Sequence, residues 1–314
     1  MITKVSTKDM SREDWLKKRS LSIGGSDAGT LLGLNTYSSP YALWAEKTGK
    51  VVPEDISDKE AVRVGNDLEQ YVADRFMEKT GKKVRKANCF IYNSDFPFAH
   101  ANIDRDVVGE NAGLECKTTS SWEILQQCRE GKYPDNWYAQ MTHYMMVTGA
   151  DHWYLGVLVL GKGFYEFTIE RNEDEIKALA AAEEAFWNNV KCNTPPALDG
   201  TEATQDALKT VLGDSRPGQG TDLTGVGNHI TMYCALKERI KEMEAELNEH
   251  QAIIMQYMGS AEKGSYGNTS VSFKTQTRKT FDRKAFEAAN GPIADLFFTI
   301  STSRPFKVTT KKGA

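Results

Sequence analysis

The sequence predicts an α/β fold with a central mixed β-sheet flanked by helices, followed by a long C-terminal helix and short strands. Apolar residues recur at four-residue steps through residues 58–80, as on one face of a helix, whereas residues 87–118 contain three short strand-like runs. Residues 153–161 then form a nearly continuous apolar run, which is typical of a strand covered on both faces. The order of helices, strands, helices and strands therefore favours a mixed sheet.

Four helices are predicted before the first strands. Ser11 precedes an acidic turn and caps the first, and the Gly/Ser-rich stretch SIGGSDAGTLLG forms a turn that leads into the second. Ser39-Pro40 begins the third helix, and Gly81 ends the fourth. After this helical segment, the hydrophobic pattern changes from the period of helices to that of strands.

The sheet is predicted from five runs with strand character. Glycine and asparagine between the second and third runs suit a hairpin connection. Helices at 120–130 and 135–148 connect the third run to the fourth, and a helix at 173–192 closes the block. The five runs are 87–93, 98–108, 113–118, 153–161 and 164–170.

The composition changes after Pro195-Pro196, which predicts two domains. We expect a core over residues 1–200 and an extension over residues 201–314 that packs on the core. Residues 213–228 are rich in glycine and polar residues, which is typical of a loop or linker. The extension therefore begins with irregular structure before its main helix.

A long helix is predicted over residues 229–258. Its apolar residues fall at alternating three- and four-residue steps, a heptad pattern with His250 as the one polar member. Such a seam suits a coiled coil, and it equally suits a helix packed on its own domain. Short strands around one more helix are expected at the end of the chain.

The composition is that of an ordinary soluble globular protein, with 314 residues and a net charge of −4. No run approaches the ~18 apolar residues of a membrane helix, and the N-terminus lacks the apolar core of a signal peptide. We therefore expect a cytosolic protein without a membrane partner. The five scattered cysteines contain no C-x-x-C pair, which argues against disulfides, zinc and iron–sulfur clusters. Nucleic-acid binding would require locally concentrated positive charge.

Asp104, Glu115 and Lys117 are charged residues within predicted strands, where charge is unusual. Residues two apart on a strand share a face, so Glu115 and Lys117 point the same way, and a hairpin brings Asp104 beside Glu115. The two carboxylates would repel each other, and Mg²⁺ or Mn²⁺ would remove that conflict. The lysine could then orient a water molecule or neutralise a phosphate. Judged by their spacing alone, the three residues have an alternative interpretation as ordinary surface charges on strands.

Three further features favour phosphodiester chemistry. Glu69 lies at the buried side of its helix and needs a partner such as a metal, although an exposed glutamate paired with a nearby cation is the alternative. Gln140 is flanked by apolar residues on its helix, which favours a buried amide that binds a phosphate oxygen and a water molecule. An amide on the surface of the helix is the alternative. Arg19 precedes Ser26 by seven residues, with glycines between them that let an anion approach. Ser26 as a helix N-cap is the alternative there.

Five ordered blocks resemble the YqaJ-type viral recombinases, the phage and prophage relatives of lambda exonuclease in the PD-(D/E)xK nuclease superfamily. The resemblance covers roughly residues 10–170 by motif, and extends more loosely to the long helix and the terminal strands. It implies a core like that of restriction endonucleases. The blocks are RSLSIGGSDAGTLLGLNTYSSPYALWAEKTGK, VGNDLEQYVADRFMEKTGKKV, HANIDRDV, LECKT and YAQMTHYMMVTG.

The resemblance assigns catalytic roles residue by residue. Asp104 and Glu115 become metal ligands, with the Cys116 carbonyl as a third ligand. Lys117 becomes the catalytic lysine, and Glu69 becomes the helix carboxylate at a second metal or its water. The implied cofactor is Mg²⁺, with Mn²⁺ possible, at two ions per active site.

The resemblance also implies substrate-binding residues. Gln140 becomes the active-site glutamine of a Q-x-x-x-Y-like helix. Arg19 and Ser26 match a pocket for the 5′-phosphate of DNA. Asn102 stands where the family's second serine of that pocket is found, and its amide can still donate to phosphate.

The implied activity is a processive 5′→3′ exonuclease on linear double-stranded DNA. Such enzymes leave a 3′ single strand for an annealing protein and form a homotrimeric ring around DNA. A phage or prophage protein of this kind would act in the bacterial cytoplasm. The alternatives are a repair or restriction-type endonuclease on the same core, and a non-catalytic DNA-end-binding recombination scaffold.

Overall fold

The chain folds as two compact units, Met1–Gly213 and Asp214–Ala314. No helix in the described part of the chain is both long enough and apolar enough to cross a bilayer. The five cysteines are all free thiols. The computed structural model describes residues 1–53, 55–291, 293, 297–299, 304 and 306–308.

A five-stranded mixed sheet forms the centre of the first unit, which confirms the predicted fold class. Its strand order is β2-β4-β5-β6-β7. The β5–β6 pair is parallel because a helical connection separates these strands, whereas the other pairs are antiparallel. The strands are β2 (Val84–Lys86), β4 (Arg105–Val107), β5 (Ala112–Thr119), β6 (His152–Val159) and β7 (Gly163–Glu170).

Helices cover both faces of this sheet. Phe76 and Ala73 of α4 pack with Leu114 of β5 on one face. On the other face Tyr144 of α6 packs on Trp153 of β6, with 5.1 Å between the ring centroids. The helices are α1 (Arg12–Ser20), α2 (Gly25–Leu31), α3 (Pro40–Lys47), α4 (Glu60–Thr80), α5 (Trp122–Arg129), α6 (Asp135–Thr148), α7 (Glu173–Lys191) and α8 (Glu202–Leu212).

The unit boundary falls after α8, whereas the sequence analysis placed it near residue 200. Helix α8 packs on α3, where Thr204 Oγ1 donates to Ser39 Oγ at 2.7 Å. Ala207 of the same helix is buried in the core of the first unit. These contacts make α8 part of the core.

Two features of the strands differ from the predictions. The strand predicted over 98–108 is regular only in β4, since the chain before it makes single bridges at Ala99 and Ala101. A strand that was not predicted, β1 (Ile2–Ser6), pairs antiparallel with β3 (Cys89–Asn93). All five residues of β1 are exposed, so no buried period marks it in the sequence.

The second unit contains the predicted long helix, α9 (Gly227–Met258), preceded by a 3₁₀ turn at Thr224–Val226. A hairpin of β8 (Lys263–Tyr266) and β9 (Thr269–Ser272) follows, and then α10 (Arg283–Asn290). The hairpin and the additional helix agree with the prediction. The terminal strand expected after residue 300 lies largely outside the described residues.

Candidate active site

A pocket of about 220 Å³ opens where α1, α2 and α6 meet β5 and the segment before β4. The pocket brings together six predicted residues that are far apart in the chain: Arg19, Ser26, Asn102, Asp104, Glu115 and Gln140. Four glycine, aromatic or imidazole neighbours complete much of its wall: Gly24, Gly25, His100 and Tyr144. Lys117 and Cys116 connect to this group through hydrogen bonds, whereas Glu69 forms an ion pair with Arg105, the residue after Asp104.

Glu115 and Lys117 lie on one face of β5, as their two-residue spacing predicts. Lys117 Nζ lies 2.7 Å from Glu115 Oε1 and also donates to Gln140 Oε1 at 2.8 Å. Gln140 Nε2 in turn donates to Glu115 Oε1 at 2.8 Å. Because Gln140 both donates and accepts, it fixes the carboxylate and the ammonium group in one cluster.

Gln140 also connects the cluster to the segment that carries Asp104. Its Nε2 contacts Tyr144 Oη at 2.8 Å, one turn along α6, and Tyr144 Oη donates to the Asn102 carbonyl at 3.2 Å. Burial, followed by Glu115 and Asp104, raises the pKa of Tyr144 well above its ordinary value. The phenol therefore keeps its proton and acts as a donor. The Asn102 contact shown here uses its backbone, so its predicted phosphate contact stays a prediction.

Asp104 is the residue just before β4. At this position the backbone pairing of β4 with β5 stops. Asp104 Oδ2 accepts a hydrogen bond from the Cys116 backbone N–H at 2.8 Å, so a side chain replaces the sheet partner there. Burial, the charge of Glu115 and the charge of Glu69 raise the pKa of Asp104 well above its ordinary value. The two acids thus face the electrostatic conflict that their sequence positions predict.

Glu69 has a cationic partner that the sequence analysis missed. Its carboxylate forms an ion pair with Arg105, which is only 2% exposed. Arg105 also donates to the Asp104 carbonyl at 2.9 Å and to Gln70 Oε1 at 3.3 Å. Arg105 therefore ties α4 to the start of β4, and the role of Glu69 at a second metal stays a prediction.

The Arg19 region is built around a buried ion pair. Arg19 hydrogen-bonds Ser26 Oγ, and Lys47 Nζ lies 2.7 Å from Asp27 Oδ2. Burial alone would raise the pKa of Asp27, but Lys47 and Arg19 outweigh it and lower that pKa. Gly24, rather than Ser26, is the N-cap of α2, and its N–H donates to Asp27 Oδ2 at 3.0 Å. The alternative of Ser26 as N-cap is therefore wrong, and its hydroxyl faces Arg19 instead.

Gly25 permits the close approach of α2 to α6. A Cβ atom at this position would lie 2.4 Å from Cε1 of Tyr144, which is shorter than real contacts allow. Glycine therefore places Ser26 beside the wall formed by α6. In the sequence, the stretch GGSDAG shows this requirement only as a pair of adjacent glycines.

His100 also lines the pocket, and the sequence analysis did not single it out. It is 1% exposed, and its Nδ1 lies 2.8 Å from Ser22 Oγ. Burial, followed by the charge of His143, lowers the pKa of His100 to about 3. His143 is a core residue, bonded through Nδ1 to Glu183 at 2.7 Å and through Nε2 to the His100 carbonyl at 2.9 Å. His143 thus fixes the backbone of His100 from the core side.

Asp104 and Glu115 are the residues that fit a divalent cation. Glu115 Oε2 is buried and has no hydrogen-bond partner among the described residues, which is costly for a carboxylate oxygen unless a ligand satisfies it. Hard oxygen donors of this kind suit Mg²⁺ or Mn²⁺. In the described part of the chain, no three His, Cys, Asp or Glu side chains are grouped to hold a metal. The site thus offers two carboxylates, with Glu69 held by Arg105.

A mixed sheet carrying a buried acid pair, a lysine and a glutamine defines an α/β protein whose site suits phosphate chemistry. Residues 14–151 match the YqaJ-like viral recombinase domain. The chain is 37% identical over 280 residues to the uncharacterized protein YqaJ of Bacillus subtilis (strain 168), covering 88% of this chain and 87% of that one. The chain therefore belongs to the YqaJ-like viral recombinase family.

One solved structure shows the same fold at low sequence identity. LHK-Exo in complex with dAMP gives a TM-score of 0.50 at 18% identity, over 58% of this chain and 94% of that chain. Another structure of LHK-Exo, an alkaline exonuclease from Laribacter hongkongensis, gives a TM-score of 0.49 with the same coverage and identity. The likeness to the dAMP complex supports the fold assignment.

Proposed function

We propose that this chain is a Mg²⁺-dependent deoxyribonuclease that degrades one strand of linear double-stranded DNA from its 5′ end during recombination. Membership of the viral recombinase family supports a nuclease that acts in recombination. The observation that carries the proposal is the contact of Lys117 and Gln140 with Glu115, in the pocket that also contains Asp104. A scaffold that only binds DNA ends would not need this buried charged set.

Each part of the set has a role in phosphodiester hydrolysis. Asp104 and Glu115 would hold Mg²⁺, which when bound polarises the scissile phosphate and lowers the pKa of a water molecule. Lys117 compensates the negative charge that grows on the phosphate during attack. Gln140 holds Lys117 and Glu115 at fixed positions, so little reorganisation is needed. A second Mg²⁺ near Glu69 is part of the proposal.

Polarity is proposed to come from the Arg19 end of the pocket. The Arg19 guanidinium and the Ser26 hydroxyl are donors suited to a terminal phosphate, and Asn102 is nearby on the pocket wall. A 5′-phosphate bound there would place the first internal phosphodiester toward Asp104 and Glu115. Digestion would then proceed 5′→3′ and leave a 3′ overhang.

The partners remain those that the resemblance implies. We propose a homotrimeric ring around DNA, which acts in the bacterial cytoplasm and passes its 3′ strand to a single-strand annealing protein. A ring with a basic lumen would reconcile DNA binding with a net charge of −4. An endonuclease on the same core is the competing activity.

A digestion of matched linear and covalently closed circular DNA tests the activity. We expect the purified full chain with Mg²⁺ to consume the linear duplex and spare the circle, and EDTA to stop the reaction. Cleavage of the circle would favour the endonuclease. Binding of linear DNA without cleavage in Mg²⁺ or Mn²⁺ would favour the scaffold and contradict the proposal.

A further inference from the structure

The imidazole of His100 presents one unused nitrogen in the pocket that Arg19 and Ser26 also line. Nδ1 is engaged by Ser22 Oγ, whereas Nε2 has no hydrogen-bond partner among the described residues. A Cβ atom at Gly24 would lie 3.0 Å from Nε2, so any side chain there would crowd this nitrogen. The glycine therefore leaves Nε2 accessible from the pocket.

The protonation state of His100 makes that nitrogen a donor. Burial lowers its pKa to about 3, so the ring is neutral and carries one N–H. Ser22 has no other hydrogen-bond partner for its hydroxyl in the described part of the chain, so it can donate to Nδ1. With Ser22 as the donor to Nδ1, the ring proton lies on Nε2.

We propose that His100 donates a hydrogen bond from Nε2 to the terminal 5′-phosphate of DNA and so helps to select phosphorylated ends. This inference rests on the proposed function, because it takes the Arg19–Ser26 end of the pocket as the phosphate site. Arg19 supplies charge from the exposed side, at 38% side-chain exposure, whereas His100 supplies a neutral, fixed donor from the buried side. A fixed donor adds direction that a mobile guanidinium lacks.

Two His100 variants separate its two nitrogens. His100→Asn keeps a polar atom near Nδ1 for Ser22 but has no donor at the Nε2 position, whereas His100→Gln places an amide nitrogen there. The readout is the ratio of initial digestion rates on 5′-phosphorylated and 5′-hydroxyl duplexes, which is internal to each protein. We expect His100→Asn to reduce this ratio about tenfold and His100→Gln to retain most of it.

Arg19→Ala distinguishes failure of the inference from failure of the pocket. If Arg19→Ala reduces the ratio and His100→Asn leaves it unchanged, the role of His100 is refuted while the pocket stands. If the wild type shows no preference for 5′-phosphate, both the pocket and the role of His100 are refuted. Far-ultraviolet circular dichroism checks that each variant is folded.

Discussion

Lys117 illustrates how single residues define this site. Its ammonium group contacts both Glu115 and Gln140, and its side chain is 22% exposed, so it is held by the protein and still open to a substrate. Because these two contacts hold its ammonium group in place, Lys117 differs from a mobile surface lysine. Its position supports a role at the reacting phosphate.

We predict that Lys117→Ala abolishes DNA cleavage while DNA binding is retained. The substitution removes charge compensation in the transition state, for which a loss of about 100-fold or more is expected. Gel-based cleavage and fluorescence-anisotropy binding provide the two measurements. Lys132→Ala, at an exposed ion pair with Glu130, is the matched control and should cleave normally. Normal cleavage by Lys117→Ala would remove Lys117 from the mechanism.

His100 also makes a prediction for the pH dependence of stability. Its pKa is about 3 in the folded chain and ~6.5 in an unfolded chain, so between these values the unfolded state binds more protons. The free energy of unfolding therefore falls as the pH drops below 6.5, by ~1.4 kcal/mol per pH unit from this residue. The His143 pKa is raised because Glu183 outweighs the effect of burial, so His143 acts in the opposite direction.

Comparison of wild type with His100→Asn isolates the contribution of His100. We expect the wild type to lose about 1.6 kcal/mol more than the variant between pH 6.5 and pH 5, in urea titrations followed by tryptophan fluorescence. A difference in the free energy of unfolding that is the same at every pH would not affect this comparison. Parallel pH profiles would show that folding does not lower the pKa of His100.

The sequence predicted the shared face of Glu115 and Lys117 because strand geometry has a fixed period of two. It also predicted the meeting of Asp104 and Glu115, which a short hairpin requires. It could not predict Arg105 or His100 as partners, because each depends on a long-range contact, to Glu69 and to Ser22. Local periodicity carries no information about such pairs.

At the scale of elements, the close contact of α2 with α6 positions the Arg19–Ser26 end of the pocket. We predict that Gly25→Ala destabilises the fold by about 1–3 kcal/mol, since the new methyl group would overlap the Tyr144 ring. Chemical denaturation measures this change. It should also weaken the preference for 5′-phosphorylated ends, because α2 must shift.

Gly65→Ala in α4 is the matched control for this prediction. No atom lies within 4 Å of a Cβ at Gly65, and alanine favours a helix over glycine by ~1 kcal/mol. The control should therefore be neutral or stabilising. If both substitutions had the same effect, steric contact with Tyr144 would not be what determines glycine at position 25.

Elements with a clear apolar period were predicted well from the sequence, whereas edge elements were not. The helix α4 and the buried strand β6 have strong patterns and lie close to their predicted bounds. The strand β1 was missed because all five of its residues are exposed, so no buried face marks it in the sequence. The strand predicted from residue 98 is shortened because the Asp104 side chain, rather than the backbone, bonds to β5.

At the scale of the whole molecule, the predicted active site and the predicted long helix lie in different units. The first unit contains the sheet, the pocket and every predicted site residue, and the second contains the long exposed helix. The family assignment supports a recombination nuclease. Oligomer number and strand polarity are properties of the assembled molecule that local sequence patterns do not determine.

Timed digestion of a linear duplex, labelled on either the 5′ or the 3′ end of one strand, tests the central claim most directly. With Mg²⁺, we predict that the 5′ label is released at once as a mononucleotide, whereas the 3′ label stays in progressively shorter strands. The same pocket that binds the 5′-phosphate would then deliver the first phosphodiester to Asp104, Glu115 and Lys117. Early release of the 3′ label, or no shortening of either strand, would contradict the account.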